Sequence, residues 1–154
     1  MAQILVCAAL FLLPSRWADA DSIADLEAAL SCDKDFDPGA LIHALQHDGW
    51  IATTRTTMLD GAPVFPVTKP LRIHGLEVGY VEGWDDRGDL FERAPGTPPP
   101  TYIAITVRAE APASAAQFHA SDPFDRLQLW VTDDVAAFNG RRSGFSSVAC
   151  GLSR

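Results

Sequence analysis

Two cysteines near opposite ends of the chain constrain its fold more than any other feature. The chain has three cysteines, and Cys7 lies in the amino-terminal segment that we expect to be removed, so Cys32 and Cys150 are the pair that remains. A disulfide between them would stabilise the folded state by roughly 4 to 5 kcal/mol in the chain-entropy account. A catalytic thiol is disfavoured, because neither cysteine belongs to a CxxC motif and Lys34 is the only basic residue close in sequence. We therefore predict one disulfide, with a pair of free structural thiols as the alternative.

The amino terminus indicates export, and export is the condition for that disulfide. Every residue from 4 to 13 is apolar, Pro14 ends the run, and Ala18-Asp19-Ala20 places small residues where a signal peptidase cuts. The run is too short to span a bilayer of roughly 30 Å as a helix. No basic residue precedes it, and a buried amino-terminal helix is the alternative interpretation. We expect residues 1–20 to be a signal peptide and residues 21–154 a single domain, periplasmic or secreted, where disulfides persist.

The charge of the chain limits its partners. The net charge is −8, and it stays at −8 without residues 1–20, which contain one basic and one acidic residue. Lys34 and Lys69 are the only lysines, so nucleic acid is a disfavoured partner, because phosphate binding needs clustered basic side chains. No later apolar run is long enough for a transmembrane helix. We expect a soluble protein without a cofactor, whose partner is another protein of basic character; solubility alone is the alternative explanation for the charge.

Helical signals are concentrated in the first third of residues 21–154. Ser22 and Asp25 resemble a capping box at the start of a helix over Ser22–Ser31. Asp37 and Pro38 predict the start of a second helix, and Gly49 its end.

Strand signals follow the helices. Prolines restrict Ala62–Lys69 to an edge strand or an ordered loop. A strand with a bend at Gly75 would place Leu76, Val78, Tyr80 and Trp84 on one face. The clearest alternation covers Tyr102–Ala109. Further predicted elements are a short helix over Pro112–His119, strands over Leu127–Thr132 and Phe145–Leu152, and turns at Asp60-Gly61 and Asn139-Gly140. The pattern predicts an α+β fold, with two N-terminal helices packed on one face of a mostly antiparallel sheet of about four to five strands.

No motif in the sequence identifies a catalytic site. His43 and His47 stand four residues apart on the second predicted helix and are weak candidates for metal ligands. The motif lacks the glutamate next to the first histidine that a zincin needs, and the third ligand would have to be Asp48, His74 or His119. Histidines near a helix C-terminus are also favoured by the helix dipole without any metal. Neither a nucleophile elbow nor a glycine-rich phosphate loop is present. We therefore predict no catalytic residues and no metal, and expect that the protein is not an enzyme.

The remaining candidates concern binding. Residues that could contact a partner are three aromatics, two aspartates and two arginines: Tyr80, Trp84, Trp130, Asp85, Asp86, Arg141 and Arg142. Each group has an ordinary alternative, namely a core position for the tryptophans, a solvated turn for the aspartates and a solvated hairpin tip for the arginines. The leading hypothesis is an exported binding module, such as an inhibitor or immunity-type protein. The alternatives are a small metal-dependent or hydrolytic enzyme using His43 and His47, and an assembly factor of the cell envelope.

Overall fold

The computed structural model describes residues 21–59, 62–85, 90–91, 100–118 and 126–152. The predicted signal peptide (residues 1–20), the predicted turn Asp60-Gly61 and the candidate Asp86 lie outside the described residues. Within them, two N-terminal helices pack on a mostly antiparallel sheet. The predicted α+β fold class is confirmed.

The first helix, α1 (Ser22–Leu30), starts at a different cap from the one predicted. The Asp21 carboxylate accepts hydrogen bonds from the amides of Ile23 and Ala24, at 3.2 and 3.4 Å. Asp21 is therefore the N-cap, and the prediction of Ser22 as the cap is wrong. The Ser22 hydroxyl instead donates to Asp48 Oδ2 at 2.7 Å. This bond joins the start of α1 to the residue that ends the second helix.

The second helix, α2 (Pro38–His47), begins and ends as predicted. The Asp37 side chain accepts from the Ala40 amide at 3.0 Å, and Pro38 occupies the first turn, where no intrahelical donor is lost. Gly49 follows with a φ of 68°, a left-handed conformation that ends helices at little steric cost when the residue is glycine.

The remaining elements are mostly strands. They are β1 (Thr57–Leu59), β2 (Ala62–Pro66), β3 (Arg72–Ile73), β4 (Leu76–Trp84), β5 (Tyr102–Val107), β6 (Leu127–Thr132), β7 (Asp134–Val135), β8 (Gly140–Arg141) and β9 (Ser146–Leu152). The main sheet contains six of them in one hydrogen-bonded path, ordered β1-β2-β4-β5-β9-β6, with β3 paired to β4 beside it. All neighbours along the path are antiparallel. The short helix α3 (Ala111–Ala115) follows β5, and β7 and β8 form a separate ribbon.

Two predictions about the strands are wrong. The prolines do not place Ala62–Pro66 at an edge, because this strand pairs with β1 on one side and β4 on the other. In β4, a register shift between Val78 and Tyr80 inserts one extra residue relative to β5. Since side chains alternate with a period of two, such a bulge moves the residues after it to the opposite face. Val78 therefore packs with the helices, whereas Tyr80 and Trp84 lie on the other side of the sheet.

The core lies between the helices and the near face of the sheet, called here the helix-covered face. Its largest fully buried side chains include Leu26, Leu30, Ile42 and Leu45 from the helices. Strand residues Val81, Ile103, Ile105 and Val148 join them in one cluster. The strand predicted from Tyr102 is present, and its predicted alternation appears in packing: Ile103, Ile105 and Val107 belong to this cluster, whereas Ala104 and Thr106 are buried outside it.

The predicted disulfide between Cys32 and Cys150 is present. Its Cα atoms are 5.7 Å apart, and 118 residues separate the cysteines in sequence. Cys150 pairs in register with Ile103 and Leu129, so the bond lies on the helix-covered face. The disulfide therefore joins the end of α1 to the strand between β5 and β6.

No helix among the described residues is long and apolar enough to cross a membrane. The second helix, α2, has ten residues, whereas a transmembrane helix needs about 20.

Candidate functional site: a cleft on the outer face of the sheet

The face of the sheet turned away from α1 and α2, called here the outer face, differs from the helix-covered face in composition. One row across the outer face joins Glu82, Ala104, Ala149 and Trp130, which are Cα partners on successive strands. The neighbouring row contains Tyr80, Thr106, Ser147 and Thr132. Small and polar side chains thus occupy positions whose counterparts on the helix-covered face are valine and isoleucine.

A cleft of about 420 Å³ lies on this face, within the size range of ligand pockets. The sheet supplies its floor, and the segment from β7 to β8 supplies the opposite wall. Its lining residues are Glu82, Tyr102, Trp130, Thr132, Asp134, Val135, Ala136, Asn139, Gly140, Ser147 and Ala149.

The wall from β7 to β8 is held against the sheet by aromatic contacts. After β7, the chain forms a short 3-10 helix (Ala136–Phe138), and Asn139 adopts a left-handed conformation with a φ of 53°. Phe138 meets Tyr80 edge-on with ring centroids 5.8 Å apart, and Phe145 with centroids 5.1 Å apart. The guanidinium of Arg142 lies 4.4 Å from the Phe138 ring centroid. The turn predicted at Asn139-Gly140 therefore positions one side of the cleft.

A glycine in β9 allows the aromatic side of the cleft to form. Gly151 pairs in register with Tyr102, and the ring centroids of Tyr102 and Trp130 are 6.4 Å apart. A Cβ at Gly151 would lie 2.5 Å from the Tyr102 Cβ, 2.6 Å from the Thr101 carbonyl oxygen and 2.9 Å from the Trp130 ring. A side chain at this position would displace both aromatic residues and the backbone beside them, so the close approach requires glycine.

Glu82 is the unusual residue of the cleft. Its side chain is 7% exposed, and Oε2 has no hydrogen-bond partner among the described residues. Its neighbours across the sheet are Val64 and Ala104, both buried. Burial without a compensating charge raises the pKa of Glu82 from 4.5 to about 7. Glu82 is one of the residues that line the cleft.

The electrostatic character of the cleft is acidic. Asp134 is its second carboxylate, and no Lys, Arg or His is among the described lining residues. Arg141 pairs with Asp134 in register between β7 and β8, and it is exposed. The cleft therefore combines a buried acid, an exposed acid and two aromatic rings, with the hydroxyl and amide groups of Thr132, Ser147 and Asn139 near them.

The predicted partner-binding residues are not all brought together. Trp130 is 36% exposed and lines the cleft. Tyr80 supports the cleft wall through Phe138. Trp84 is 4% exposed and its ring lies 6.5 Å from that of Phe91, so this tryptophan is buried and is not available to a partner.

The charged candidates also separate. The structure does not support a solvated turn at Asp85, because this residue is 2% exposed. Arg141 and Arg142 are exposed at the ribbon of β7 and β8. Arg142 lies over aromatic rings as well as facing solvent.

The weak metal candidates lie away from the cleft, on the exposed side of α2. His43 and His47 are both exposed, and His47 Nδ1 lies 3.0 Å from Asp48 Oδ1. Within the described ranges, no three His, Cys, Asp or Glu side chains form a cluster that could hold a metal ion. The pKa of Asp48 is lowered, first by the hydrogen bond from Ser22 and then by that with His47, which is a structural arrangement at the helix end.

Sequence reasoning missed Glu82. The available signal was its position in β4, two residues from both Tyr80 and Trp84 and thus on their face of the strand. A carboxylate between two aromatics on one strand face is a buried charge if that face is covered. The residues that line the cleft with Glu82, however, come from strands far along the chain.

Comparison with known proteins adds no relative. The sequence matches no protein-family model and no curated protein, and the fold matches no solved structure.

Proposed function

We propose that the protein is an exported binding module that recognises another protein through the outer-face cleft. The observation that carries the proposal is the buried carboxyl of Glu82 at an aromatic-walled cleft, with Oε2 left without a partner among the described residues. A buried polar group without a partner costs stability, typically about 1–3 kcal/mol. Acids with shifted pKa values in clefts are concentrated at functional sites. A bound ligand can supply the partner that the folded chain does not provide.

Aromatic side chains support a role in protein recognition. Trp130 is the large hydrophobic side chain exposed among the described residues. Tryptophan and tyrosine are enriched among the residues that contribute most to protein–protein binding, where they are surrounded by polar groups. Trp130 and Tyr102 stand in such surroundings, beside Thr132 and Asp134.

Export is supported by the disulfide and by the amino-terminal sequence. The Cys32–Cys150 disulfide fits an extracellular protein. The apolar run from 4 to 13 and Ala18-Asp19-Ala20 support periplasmic or secreted localisation after cleavage near Ala20.

The experiment is an affinity pull-down from the envelope fraction of the producing organism with the oxidised protein as bait. Trp130→Ala removes one wall of the cleft. Trp50→Ala is the matched control, because Trp50 is half-buried near the end of α2, under the ammonium group of Lys69, and away from the cleft. Both variants are first compared with the wild type by circular dichroism.

The proposal predicts a partner in one-to-one ratio that the wild type and Trp50→Ala retain and Trp130→Ala loses. A partner that Trp130→Ala binds as strongly as the wild type would place recognition elsewhere. Recovery of no partner under any condition would contradict a protein-binding function.

A hydrolytic role is the second candidate, and the geometry favours the cleft over His43 and His47 as its location. Glu82 and Asp134 line the same space, and a carboxyl group with a pKa of about 7 can act as a general acid or base near neutral pH. Turnover of p-nitrophenyl esters or glycosides between pH 5 and 8, abolished by Glu82→Gln, would favour it. The absence of turnover with these substrates would favour the binding module.

A further inference from the structure

The chemistry of the cleft defines a class of ligand, and the inference drawn from it rests on the proposed function. We infer that the outer-face cleft binds the cationic end of a basic side chain, lysine or arginine, that a partner protein inserts against Glu82. The buried acid, the other groups of the cleft and the charge of the whole chain each favour such a ligand.

The buried acid requires a donor or a cation. Glu82 Oε2 lacks a hydrogen-bond partner among the described residues. The residues beside Glu82 in the sheet, Val64 and Ala104, have apolar side chains and offer none. A buried carboxylate becomes favourable when a cation pairs with it and satisfies its lone pairs. A ligand that supplies both a positive charge and N–H donors meets this requirement.

The other groups of the cleft suit the same ligand. Aromatic rings such as those of Tyr102 and Trp130 attract cations to their faces. Asp134 adds a second negative charge at the cleft, and Thr132, Ser147 and Asn139 add oxygen acceptors. No basic side chain among the described lining residues repels the ligand. An anionic ligand would find no positive partner in this part of the cleft.

The charge of the whole chain agrees with a basic partner. A net charge of −8 attracts basic proteins over distances of about 10 Å at 0.1 M salt. The occupant to which we commit is therefore a basic side chain on a protein, and a free amine of the same chemistry is distinguished by the experiment.

Binding should be coupled to deprotonation of Glu82. Among the described residues that line the cleft with Glu82, the charged and titratable groups are Asp134 from β7 and Tyr102 from β5, and Arg141 on β8 pairs in register with Asp134. No histidine lines the described part of the cleft, so Glu82 is the group expected to titrate between pH 5 and 8. A cation pairs with the ionised form, so its affinity should rise with pH across this window and a proton should be released on binding.

The experiment is a titration of the protein with n-butylammonium and n-propylguanidinium, which represent the ends of lysine and arginine side chains. Binding is followed through backbone amide shifts by NMR at pH 5 and pH 8. Neutral n-butanol has the same apolar part without the charge. Glu82→Gln removes the ionisable group, and Glu77→Gln, an exposed residue of the same strand, is the matched control.

We expect both cations to shift amides of Ala104, Ser147 and Ala149 at pH 8 and to bind at least tenfold more weakly at pH 5. Glu82→Gln should bind at least tenfold more weakly than the wild type at pH 8 and lose the dependence on pH, whereas Glu77→Gln should behave as the wild type. Equal binding of n-butanol, equal binding by Glu82→Gln, or no binding of either cation to the wild type would overturn the inference.

The same variants separate this inference from the proposed function and identify the source of the cation. If Trp130→Ala loses the partner and Glu82→Gln retains it, the protein-binding function stands, and the inference that a cationic side chain binds at Glu82 is overturned. Cations that bind as expected, together with a pull-down that recovers no protein, support the cation site and point to a free amine. That second result contradicts the protein-binding function.

Discussion

The two faces of the main sheet differ in what their side chains form: an apolar core on the helix-covered face and a cleft on the outer face. In β5, Ile103, Ile105 and Val107 point into the core formed with α1 and α2, and each is fully buried. The alternate residues Tyr102, Ala104 and Thr106 belong to the outer face, where Glu82 and Ala149 flank Ala104. One strand therefore contributes to a closed apolar core on one side and to a cleft on the other.

This difference indicates that the helix-covered face stabilises the fold, and we propose that the outer face serves binding. The helix-covered face has apolar packing and the disulfide, both of which stabilise the fold. The outer face holds a buried acid whose ionisation is unfavourable, and a close approach of two aromatic rings that depends on one glycine. Features that lower the stability of the fold, and that packing does not require, are typical of binding sites.

Loss of the disulfide should have the largest effect and test the helix-covered face. For the 118-residue separation of Cys32 and Cys150, the chain-entropy account gives about 5 kcal/mol as an upper value. We expect the double variant Cys32→Ala/Cys150→Ala to lose several kcal/mol in urea unfolding followed by tryptophan fluorescence. A loss below about 1 kcal/mol would show that the bond contributes little, and the two faces would then differ less than we propose.

Adjacent residues of β5 allow a direct comparison of the faces. Ile105→Ala removes a fully buried side chain from the core and should cost about 2–5 kcal/mol. Thr106→Ala, one residue further and on the outer face, should cost about 1 kcal/mol because it removes one hydroxyl and one methyl group. Both values come from urea unfolding at pH 7. Similar losses for the two variants would argue that both faces serve stability equally.

Glu82→Gln should stabilise the protein in a manner that depends on pH. The folded-state pKa of Glu82, about 7, lies above its ordinary value of 4.5. The folded state therefore binds the proton more tightly, and wild-type stability falls as pH rises from 4.5 through 7. At pH 8 the variant should be more stable by up to about 3 kcal/mol, and at pH 4 the difference should be small.

Unfolding of the wild type and Glu82→Gln at pH 4, 6 and 8 measures this difference. Glu77 is exposed, so the stability of Glu77→Gln should equal that of the wild type at all three pH values. If the advantage of Glu82→Gln stays constant with pH, the carboxyl of Glu82 is not the buried acid that we describe.

The smallest effect concerns the aromatic wall. Gly151→Ala should cost about 1–3 kcal/mol, since overpacking displaces its neighbours, and it should weaken n-butylammonium binding by separating Tyr102 from Trp130. Gly79→Ala is the matched control, because a Cβ there lies 4.0 Å from its nearest neighbour. If Gly151→Ala binds n-butylammonium as the wild type does, the rings of Tyr102 and Trp130 do not contribute to the binding site.

Local sequence patterns predicted much of the helix-covered face. The Asp37 cap and the first-turn Pro38 act within one helix, and Gly49 lies just past its end. The alternation in β5 reflects the apolar side chains that face α1 and α2. The disulfide was predictable because the compartment and the number of cysteines left one pairing. Each of these signals involves residues close together in sequence or, for the disulfide, a count of cysteines that allows one pairing.

The cleft was not predictable by the same means. The bulge between Val78 and Tyr80 changes which face of β4 each residue occupies, and nothing in the hydrophobic pattern reports it. The segment after β6 is distant from β4 in sequence but lines the same cleft as Glu82. The site that Glu82 lines therefore depends on residues that only the folded chain brings together.

The most direct test of the central claim is the titration of the Glu82 side-chain carboxyl by carbon-13 NMR, with and without saturating n-butylammonium. We predict a carboxyl that titrates near pH 7 in the free protein, disappears from the spectrum of Glu82→Gln, and shifts to lower pH when the cation is bound. Titration of Glu82 near its ordinary value of 4.5, unchanged by the cation, would contradict the claim.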